Sequence, residues 1–175
     1  MIDRLARVFQ RAGHEVVLYT TGDATCTVPR RFVLDFAESV RMGGAVVEQR
    51  HVANAYEALI DCDIVHDHSI VGPMYAARFT DLPVVTTNHG PFNVELRDVY
   101  RFIARHVPLI AISHHQASTA AGVPIAAVIH HGLDIDEYQI GPGDGGYLLF
   151  LGRMSPDKRA RRAAETLSMR TSRSR

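Results

Sequence analysis

Apolar residues in the first third of the chain alternate between helical and extended spacing. Ile2, Leu5 and Phe9 recur on one helix face, and Gly13 follows where a helix C-cap belongs. The continuous apolar run at 16–19 predicts a buried strand. The same pattern predicts a second helix through Phe32, Phe36 and Val40, which ends at Gly43-Gly44. It also predicts a short strand at 45–47 and a helix at 52–61.

From residue 63 onward the alternation becomes regular. Short apolar runs predict strands at 63–65, 83–87, 108–112 and 125–129. Helical spacing between these runs predicts helices at 73–79, 94–105 and 116–121. A glycine-rich segment at 141–146 indicates a linker, and the run at 147–151 predicts one further strand. Short, continuously apolar strands that alternate with helices predict an α/β fold, with a parallel sheet and helices on both faces.

Length and charge narrow the class of protein. A chain of 175 residues can bury one domain well but is short for two domains of ordinary size. The formal net charge is zero, but the charges are unevenly placed. Residues 158–175 contain seven of the 19 basic residues and one of the 19 acidic residues. The preceding part of the chain therefore has twelve basic and eighteen acidic groups. An acidic body disfavours nucleic acid as a partner, because phosphate binding requires clustered positive charge.

The two cysteines and the apolar runs indicate a compartment. Cys26 and Cys62 have the spacing of neither a disulfide framework nor a metal site, so a reducing cytoplasm is the expected location. No apolar run reaches the roughly 18 residues of a membrane-spanning helix, and no export signal is visible at the N-terminus. Peripheral contact with a membrane stays open.

Polar residues gather directly after four of the predicted strands. They are His66-Asp67-His68, Asn88-His89-Gly90, Ser113-His114-His115 and His130-His131-Gly132, which contain seven of the ten histidines. Ligands of open parallel sheets bind at the carboxyl ends of the strands, so these side chains are expected to converge on one cleft. The alternative interpretation is that surface loops are simply polar. Imidazole suits the binding of sugar hydroxyls or phosphate oxygens near neutral pH.

Several other functions are alternatives to a site that binds sugar hydroxyls or phosphate. Imidazole also suits zinc, so a metal-dependent hydrolase is an alternative, but no cysteine or carboxylate lies at a familiar ligand spacing and no metal site is predicted. The chain contains no Gly-x-Ser-x-Gly elbow, no Walker-type loop and no Gly-x-Gly-x-x-Gly after a strand. Serine hydrolysis, P-loop phosphoryl transfer and standard dinucleotide binding are therefore disfavoured.

A second candidate segment follows the run at 147–151. Gly152 would let a ligand approach the backbone, and Arg153 and Lys158 are spaced to clamp a diphosphate. Lys158 is the only lysine, against eighteen arginines. An ordinary turn with a solvated ion pair is the alternative interpretation.

Taken in order, six segments resemble the motifs of glycosyltransferase family 4. They are Arg-Ala-Gly-His-Glu-Val at 11–16, Asp-Ile-Val-His-Asp-His at 63–68, Thr-Thr-Asn-His-Gly-Pro at 86–91, Ala-Ile-Ser at 111–113, Val-Ile-His-His-Gly-Leu-Asp at 128–134 and Phe-Leu-Gly-Arg at 150–153, which runs on to Lys158. Their order and spacing match over about residues 2–158. The ordered series, more than any single motif, carries the resemblance.

The resemblance implies a GT-B fold, in which two Rossmann-like domains face a cleft. This chain would be most of the acceptor-side, N-terminal half. The family transfers a hexosyl group from a nucleotide sugar to an acceptor hydroxyl with retention of configuration; the nucleotide sugar is a substrate, and neither a cofactor nor a bound metal is implied. The implied domains are 1–140 for a Rossmann-like acceptor-side domain, 141–158 for a linker and the start of the nucleotide-sugar domain, and 159–175 for a basic tail.

The resemblance also assigns roles to residues. His89 would act at the donor sugar as the catalytic residue. The carbohydrate or lipid acceptor would be bound by the strand-end loops, at His66, Asp67, His68, Ser113 and His114. The donor would be held by Gly152, Arg153 and Lys158.

The chain departs from the family pattern in several places. His131 stands where asparagine is usual, the family's first strand and glycine-rich loop do not precede Ile2, and no Glu-x7-Glu element follows Lys158. The basic residues after Lys158 fit either a frameshifted segment or a genuine basic tail. We therefore expect a catalytically incomplete chain of marginal stability, unless the strands beside the missing one pair with each other. The alternatives are a non-catalytic acceptor-binding fragment and a nucleotide-sugar epimerase.

Overall fold

The computed structural model describes residues 1–37, 44–145, 149–152, 159–162 and 164–165. The chain divides into two compact units, Met1–Gly132 and Leu133–Arg175. The first unit holds all the strands described below, and the second contains a short 3₁₀ turn at Ile135–Glu137. The predicted domain boundary at residue 140 stays a prediction.

The described residues of the first unit form five α-helices. They are α1 (Ile2–Arg11), α2 (Ala45–Ala58), α3 (Gly72–Tyr75, continued by a 3₁₀ turn at Ala76–Arg78), α4 (Val94–Ile103) and α5 (His114–Thr119). Gly13 takes φ +94° just beyond α1, which is the left-handed conformation expected after a helix end. Asn93 and Ser113 cap α4 and α5, because each side chain accepts a hydrogen bond from a backbone N–H in the first turn.

Six short strands, arranged in two parallel sheets, are found in the described ranges. The smaller sheet pairs β1 (Leu18–Tyr19) with β2 (Arg30–Arg31). The larger sheet has the order β3-β4-β5-β6, with bounds Val65–Asp67, Val84–Asn88, Leu109–Ala111 and Ala127–Val128. Every pair in both sheets is parallel. The predicted α/β fold with a helix-flanked, Rossmann-like parallel sheet is confirmed.

The core lies around β5 and the helices that cover the larger sheet. Leu109 is fully buried, and Tyr56 of α2 and Tyr100 of α4 are almost fully buried beside it in one hydrophobic cluster. Burial of these large apolar side chains stabilises the packing of the helices on the sheet, and backbone pairing holds the parallel strands in register. The ends of β3, β4 and β5 are thereby fixed in a common row. None of the helices in the described ranges is both long enough and apolar enough to cross a membrane.

Two predictions between β1 and α2 are wrong. The predicted helix through Phe32 and Phe36 is absent from 32–37, where the chain is irregular and Phe36 is 74% exposed; its end at 38–43, including Val40, lies outside the described residues. The predicted strand at 45–47 is the first turn of α2. Val46 is 72% exposed, so the run of three apolar residues is not a buried strand. The strand β2 was not predicted, because its two residues are arginines.

The remaining differences concern boundaries. The strand predicted at 16–19 is reduced to its last two residues, the helix predicted at 52–61 begins at Ala45 and ends at Ala58, and the strand predicted at 63–65 lies at 65–67. The predicted strand at 147–151 is not formed at 149–151, and the rest of it lies outside the described residues. The ends of a strand are set by its hydrogen bonds to the adjacent strands, and the apolar pattern of the sequence does not contain this information.

A cavity separates the two sheets. No backbone pairing joins β1 to β3 in the part of the chain that the structure describes, so these two strands do not pair with each other. The cavity between them has a volume of about 330 Å³ and is lined largely by apolar side chains of α2 and the two strands, together with His66 and Asp67. The carboxyl end of β3 therefore borders an opening in the fold on one side and β4 on the other.

Candidate functional site

The loop after β3 is organised around the carboxylate of Asp67. Its Oδ2 accepts a hydrogen bond from the Tyr56 hydroxyl at 2.7 Å, and its Oδ1 accepts bonds from the backbone N–H and the hydroxyl of Ser69, each at 2.7 Å. A side chain at Gly72 would collide with the same carboxylate, so only glycine fits there. Burial raises the pKa of the Tyr56 hydroxyl, and the nearby Asp67 carboxylate raises it further. Asp67 thus fixes the loop that carries His66 and His68.

A second carboxylate holds the far side of this loop. Glu48, in the first turn of α2, accepts hydrogen bonds from the backbone N–H groups of Ile70 and Val71 at 2.8 and 3.1 Å. Asp67 and Glu48 together anchor the loop between β3 and α3 at both of its ends. Sequence patterns did not single out Glu48, since a carboxylate that binds distant backbone N–H groups has no spacing signature.

Four imidazole rings from three strand ends form a continuous array, which we call the histidine stack. It consists of His66, His68, His89 and His131. Ring centroids lie 4.1 Å apart for His66–His68, 5.1 Å for His68–His89 and 5.4 Å for His89–His131. His68 Nδ1 lies 2.9 Å from His89 Nε2, and His66 Nε2 lies 2.8 Å from the Thr87 hydroxyl. The predicted convergence of the strand-end histidines is thus seen for three of the four loops.

The environment of the histidine stack favours neutral rings. Burial lowers the pKa of His66 and of His89, and for His89 the neighbouring His131 lowers it further. Burial, followed by the neighbouring imidazoles of His66, His89 and His131, lowers the pKa of His68 to about 3. His89 Nδ1 is buried with no hydrogen-bond partner among the described residues, and a charged ring would need a partner for both of its N–H groups. At neutral pH the rings of His66, His68 and His89 are uncharged hydrogen-bonding groups.

The loop after β4 is held by one buried amide from α5. Gln116 Nε2 donates hydrogen bonds to the backbone oxygens of Asn88 and Gly90 at 3.0 and 2.6 Å. Asn88 closes the same turn, since its side chain exchanges two hydrogen bonds with the backbone of Gly90. His89 lies between these two tethered residues. Gln116 and Asn88 are buried; the sequence pattern predicts Asn88 at a strand end of the cleft, but identifies Gln116 only as a helix residue.

The loop after β5 contributes differently from the other two. The Ser113 hydroxyl accepts a hydrogen bond from the Gln116 N–H at 3.0 Å, so it is the N-cap of α5. His114 is exposed, and its ring lies 5.6 Å from that of His130. Among the described residues, no ring contact joins this second, exposed pair of imidazoles to the histidine stack. Ser113 therefore acts on the helix that carries Gln116.

The proposed donor residues belong to the second unit. Gly152 is exposed, and Arg153 and Lys158 lie outside the described residues. Within the described ranges, no group of three or more histidine, cysteine, aspartate or glutamate side chains has an arrangement that could hold a metal ion. The contacts within the histidine stack are between ring faces and edges.

The fold and this site together define a class of protein. In open parallel α/β sheets, ligands bind at the carboxyl ends of the strands, which is the edge where these hydrogen-bonding side chains lie. The family model described as Glycosyltransferase Family 4 matches residues 1–137, and the chain belongs to this family. No curated protein matches the chain.

Proposed function

We propose that this chain provides the acceptor-side domain of a retaining glycosyltransferase. The reaction transfers a hexosyl group from a nucleotide sugar to a hydroxyl of a carbohydrate or lipid acceptor. The anomeric carbon loses its bond to the nucleoside diphosphate and gains a bond to the acceptor oxygen on the same face of the sugar ring, and the proton of the acceptor hydroxyl leaves with the nucleoside diphosphate. The observation that carries the proposal is the histidine stack at the strand ends of a domain that belongs to glycosyltransferase family 4.

Neutral imidazoles are suited to this substrate class. Each neutral ring offers one N–H donor and one nitrogen acceptor, which matches the mixed donor and acceptor character of a sugar hydroxyl. Because burial lowers the pKa of His66, His68 and His89, this matching persists across the neutral pH range. The rings also offer flat apolar faces next to their polar edges, as a sugar ring does.

The proposed roles follow from these contacts. His89, at the centre of the stack, is the candidate catalytic residue that contacts the transferred sugar. His66, His68 and His114 would contact the acceptor. Asp67 and Ser113 already bind groups of their own domain, so they contribute by holding the loops. Gly152, Arg153 and Lys158 would bind the donor diphosphate.

No bound cofactor or metal takes part in this proposal, and the cytoplasm is the proposed location. Acceptor binding without catalysis is the second candidate function. It is favoured by one observation, which is that the whole histidine stack lies within Met1–Gly132. The chain could therefore bind an acceptor by means of this unit alone.

Ligand titration separates the two candidates. The purified chain is titrated with a panel of nucleotide sugars and of glycan or glycolipid acceptors, with calorimetry for binding and nucleotide release for turnover. For an active transferase, His89→Ala abolishes nucleotide release, whereas His106→Ala, which alters an exposed histidine outside the stack, leaves it unchanged. Acceptor binding without turnover supports the second candidate. Absence of binding to every donor and acceptor contradicts both.

A further inference from the structure

We infer that Gln116 is a positioning residue of this site, whose carboxamide holds the Asn88–Gly90 turn so that His89 meets His68. The relevance of this role to sugar transfer rests on the proposed function, but the role itself is a statement about the fold. It adds to the site a residue on α5, a helix that the sequence marked only through Ser113 and His114.

The contacts of Gln116 use both ends of its amide. Its Oε1 accepts a hydrogen bond from the Ile112 N–H at 2.8 Å, while its Nε2 donates to the Asn88 oxygen at 3.0 Å and to the Gly90 oxygen at 2.6 Å. The orientation of the amide is unambiguous, because Ile112 offers a donor and the two carbonyls offer acceptors. The side chain is only 7% exposed, so water does not replace these bonds.

These bonds connect two strand ends through one side chain. Ile112 directly follows β5, and Asn88 is the last residue of β4. Gln116 therefore fixes the turn after β4 relative to the end of β5, on both sides of His89. The 2.9 Å approach of His89 Nε2 to His68 Nδ1 depends on that placement, since the other side-chain hydrogen bonds to this turn from the described residues are those of Asn88 itself.

Other side chains cannot reproduce this arrangement. Methionine has a similar length but leaves one N–H and two carbonyl oxygens without this partner in a buried place. An ionised glutamate would set a carboxylate oxygen against the two carbonyl oxygens. Asparagine keeps the amide but is one methylene shorter, so it withdraws the amide from the turn.

Imidazole NMR of the full chain tests the inference without any substrate. Long-range ¹H–¹⁵N spectra of ¹⁵N-histidine-labelled protein report the tautomer and the titration of each ring. In Gln116→Met we expect the His68 and His89 signals to shift, and the pKa of His68 to rise from about 3 by at least about one unit as the rings separate and water enters. The control is Ser118→Ala, which alters the same helix at an exposed side chain whose hydroxyl donates to the His115 carbonyl and not to Gln116 or the turn.

Each outcome has a defined meaning. If Gln116→Met is folded and its histidine spectra and titrations equal those of the wild type, the inference is wrong. If Gln116→Met does not fold, Gln116→Asn is measured, and shifted His68 and His89 signals support the role while unchanged signals overturn it. If the histidine signals respond as expected but no sugar ligand binds the wild-type chain, the proposed function fails and the positioning role stands.

Discussion

The two sheets of the first unit show what neighbours do for a parallel strand. In the larger sheet, β5 is paired on both sides, and Leu109 and Ala111 are fully buried. In the smaller sheet, β1 and β2 are two residues each and only half-buried or exposed, although the apolar run before β1 is as continuous as that of β5. The most deeply buried of the described strands, β4 and β5, are the two that have a partner on each side.

The smaller sheet is held instead by a side-chain contact. The guanidinium of Arg31 donates to both carboxylate oxygens of Asp61 at 2.7 and 2.9 Å and also to the Ala58 carbonyl at the end of α2. This pair is exposed to solvent, where ion pairs contribute little to stability. The region beside the cavity is therefore expected to be the less stable of the two.

Truncation in the core should have the largest effect. Leu109→Ala removes a fully buried side chain from β5 and should lower the free energy of unfolding by about 2–5 kcal/mol. The matched change in the smaller sheet, Leu18→Ala, should cost about 1 kcal/mol, because that side chain is half-exposed. Urea unfolding followed by circular dichroism measures both. Equal costs would show that the two sheets are equally well packed.

Removal of the Asp67 carboxylate should come next. Asp67→Ala leaves the Tyr56 hydroxyl and the Ser69 N–H without their partner, at a cost of about 1–3 kcal/mol. Asp63→Ala, at an exposed position two residues before β3, is the control and should change stability by less than about 0.5 kcal/mol. Thermal melts measure both variants. A loss no larger than that of the control would mean that the loop is held without Asp67.

Acid should weaken the site end of the larger sheet to a smaller extent. His66, His68 and His89 have lowered pKa values in the folded chain, so the unfolded chain binds more protons as the pH falls below about 6.5. Stability is therefore full above that pH and is lost progressively towards the folded pKa, which is about 3 for His68. At about one pH unit below 6.5 the loss due to His68 should be at most about 1 kcal/mol, allowing for solvent contact.

Chemical denaturation between about pH 7.5 and about pH 5.5 measures this loss. His68→Gln removes the titrating group and should flatten the pH dependence, whereas His106→Gln, at an exposed site, should not. A wild-type chain that is equally stable at both pH values would contradict the neutral state of the histidine stack.

Loss of the Arg31–Asp61 pair should have the smallest effect. Arg31→Ala should shift the melting temperature by no more than about 2 °C, yet it should speed hydrogen exchange in β1 and β2 while β4 and β5 stay protected. Arg7→Ala, which breaks the exposed pair with Asp3 on α1, is the control and should leave the exchange of β1 unchanged. Uniform exchange across both sheets would remove the distinction between them.

The larger sheet could be predicted because burial on both faces gives each strand a continuous apolar run. The smaller sheet could not, since β2 consists of Arg30 and Arg31, and its formation depends on backbone pairing with β1. The apolar run Ala45 to Val47 predicts a strand, but these residues form the first turn of α2. The helix that follows overrides the preference of two adjacent valines for extended structure.

For the site, the strand-end positions were predictable and the supporting contacts were not. His66, His68, His89 and His131 were expected to converge because parallel strands end at one edge. Glu48 and Gln116 act on backbone groups 22 to 28 residues away, and such bonds leave no local pattern in the sequence.

The neutrality of His66, His68 and His89 has a consequence for how a ligand is recognised in salt solutions. Uncharged rings attract a ligand through short-range hydrogen bonds, which ions in solution do not screen, whereas charged groups act over about 10 Å and are screened. The affinity contributed by these rings should therefore be nearly independent of ionic strength at neutral pH. In acid, as the rings gain protons, the same surface becomes cationic and acquires a salt-dependent preference for anions.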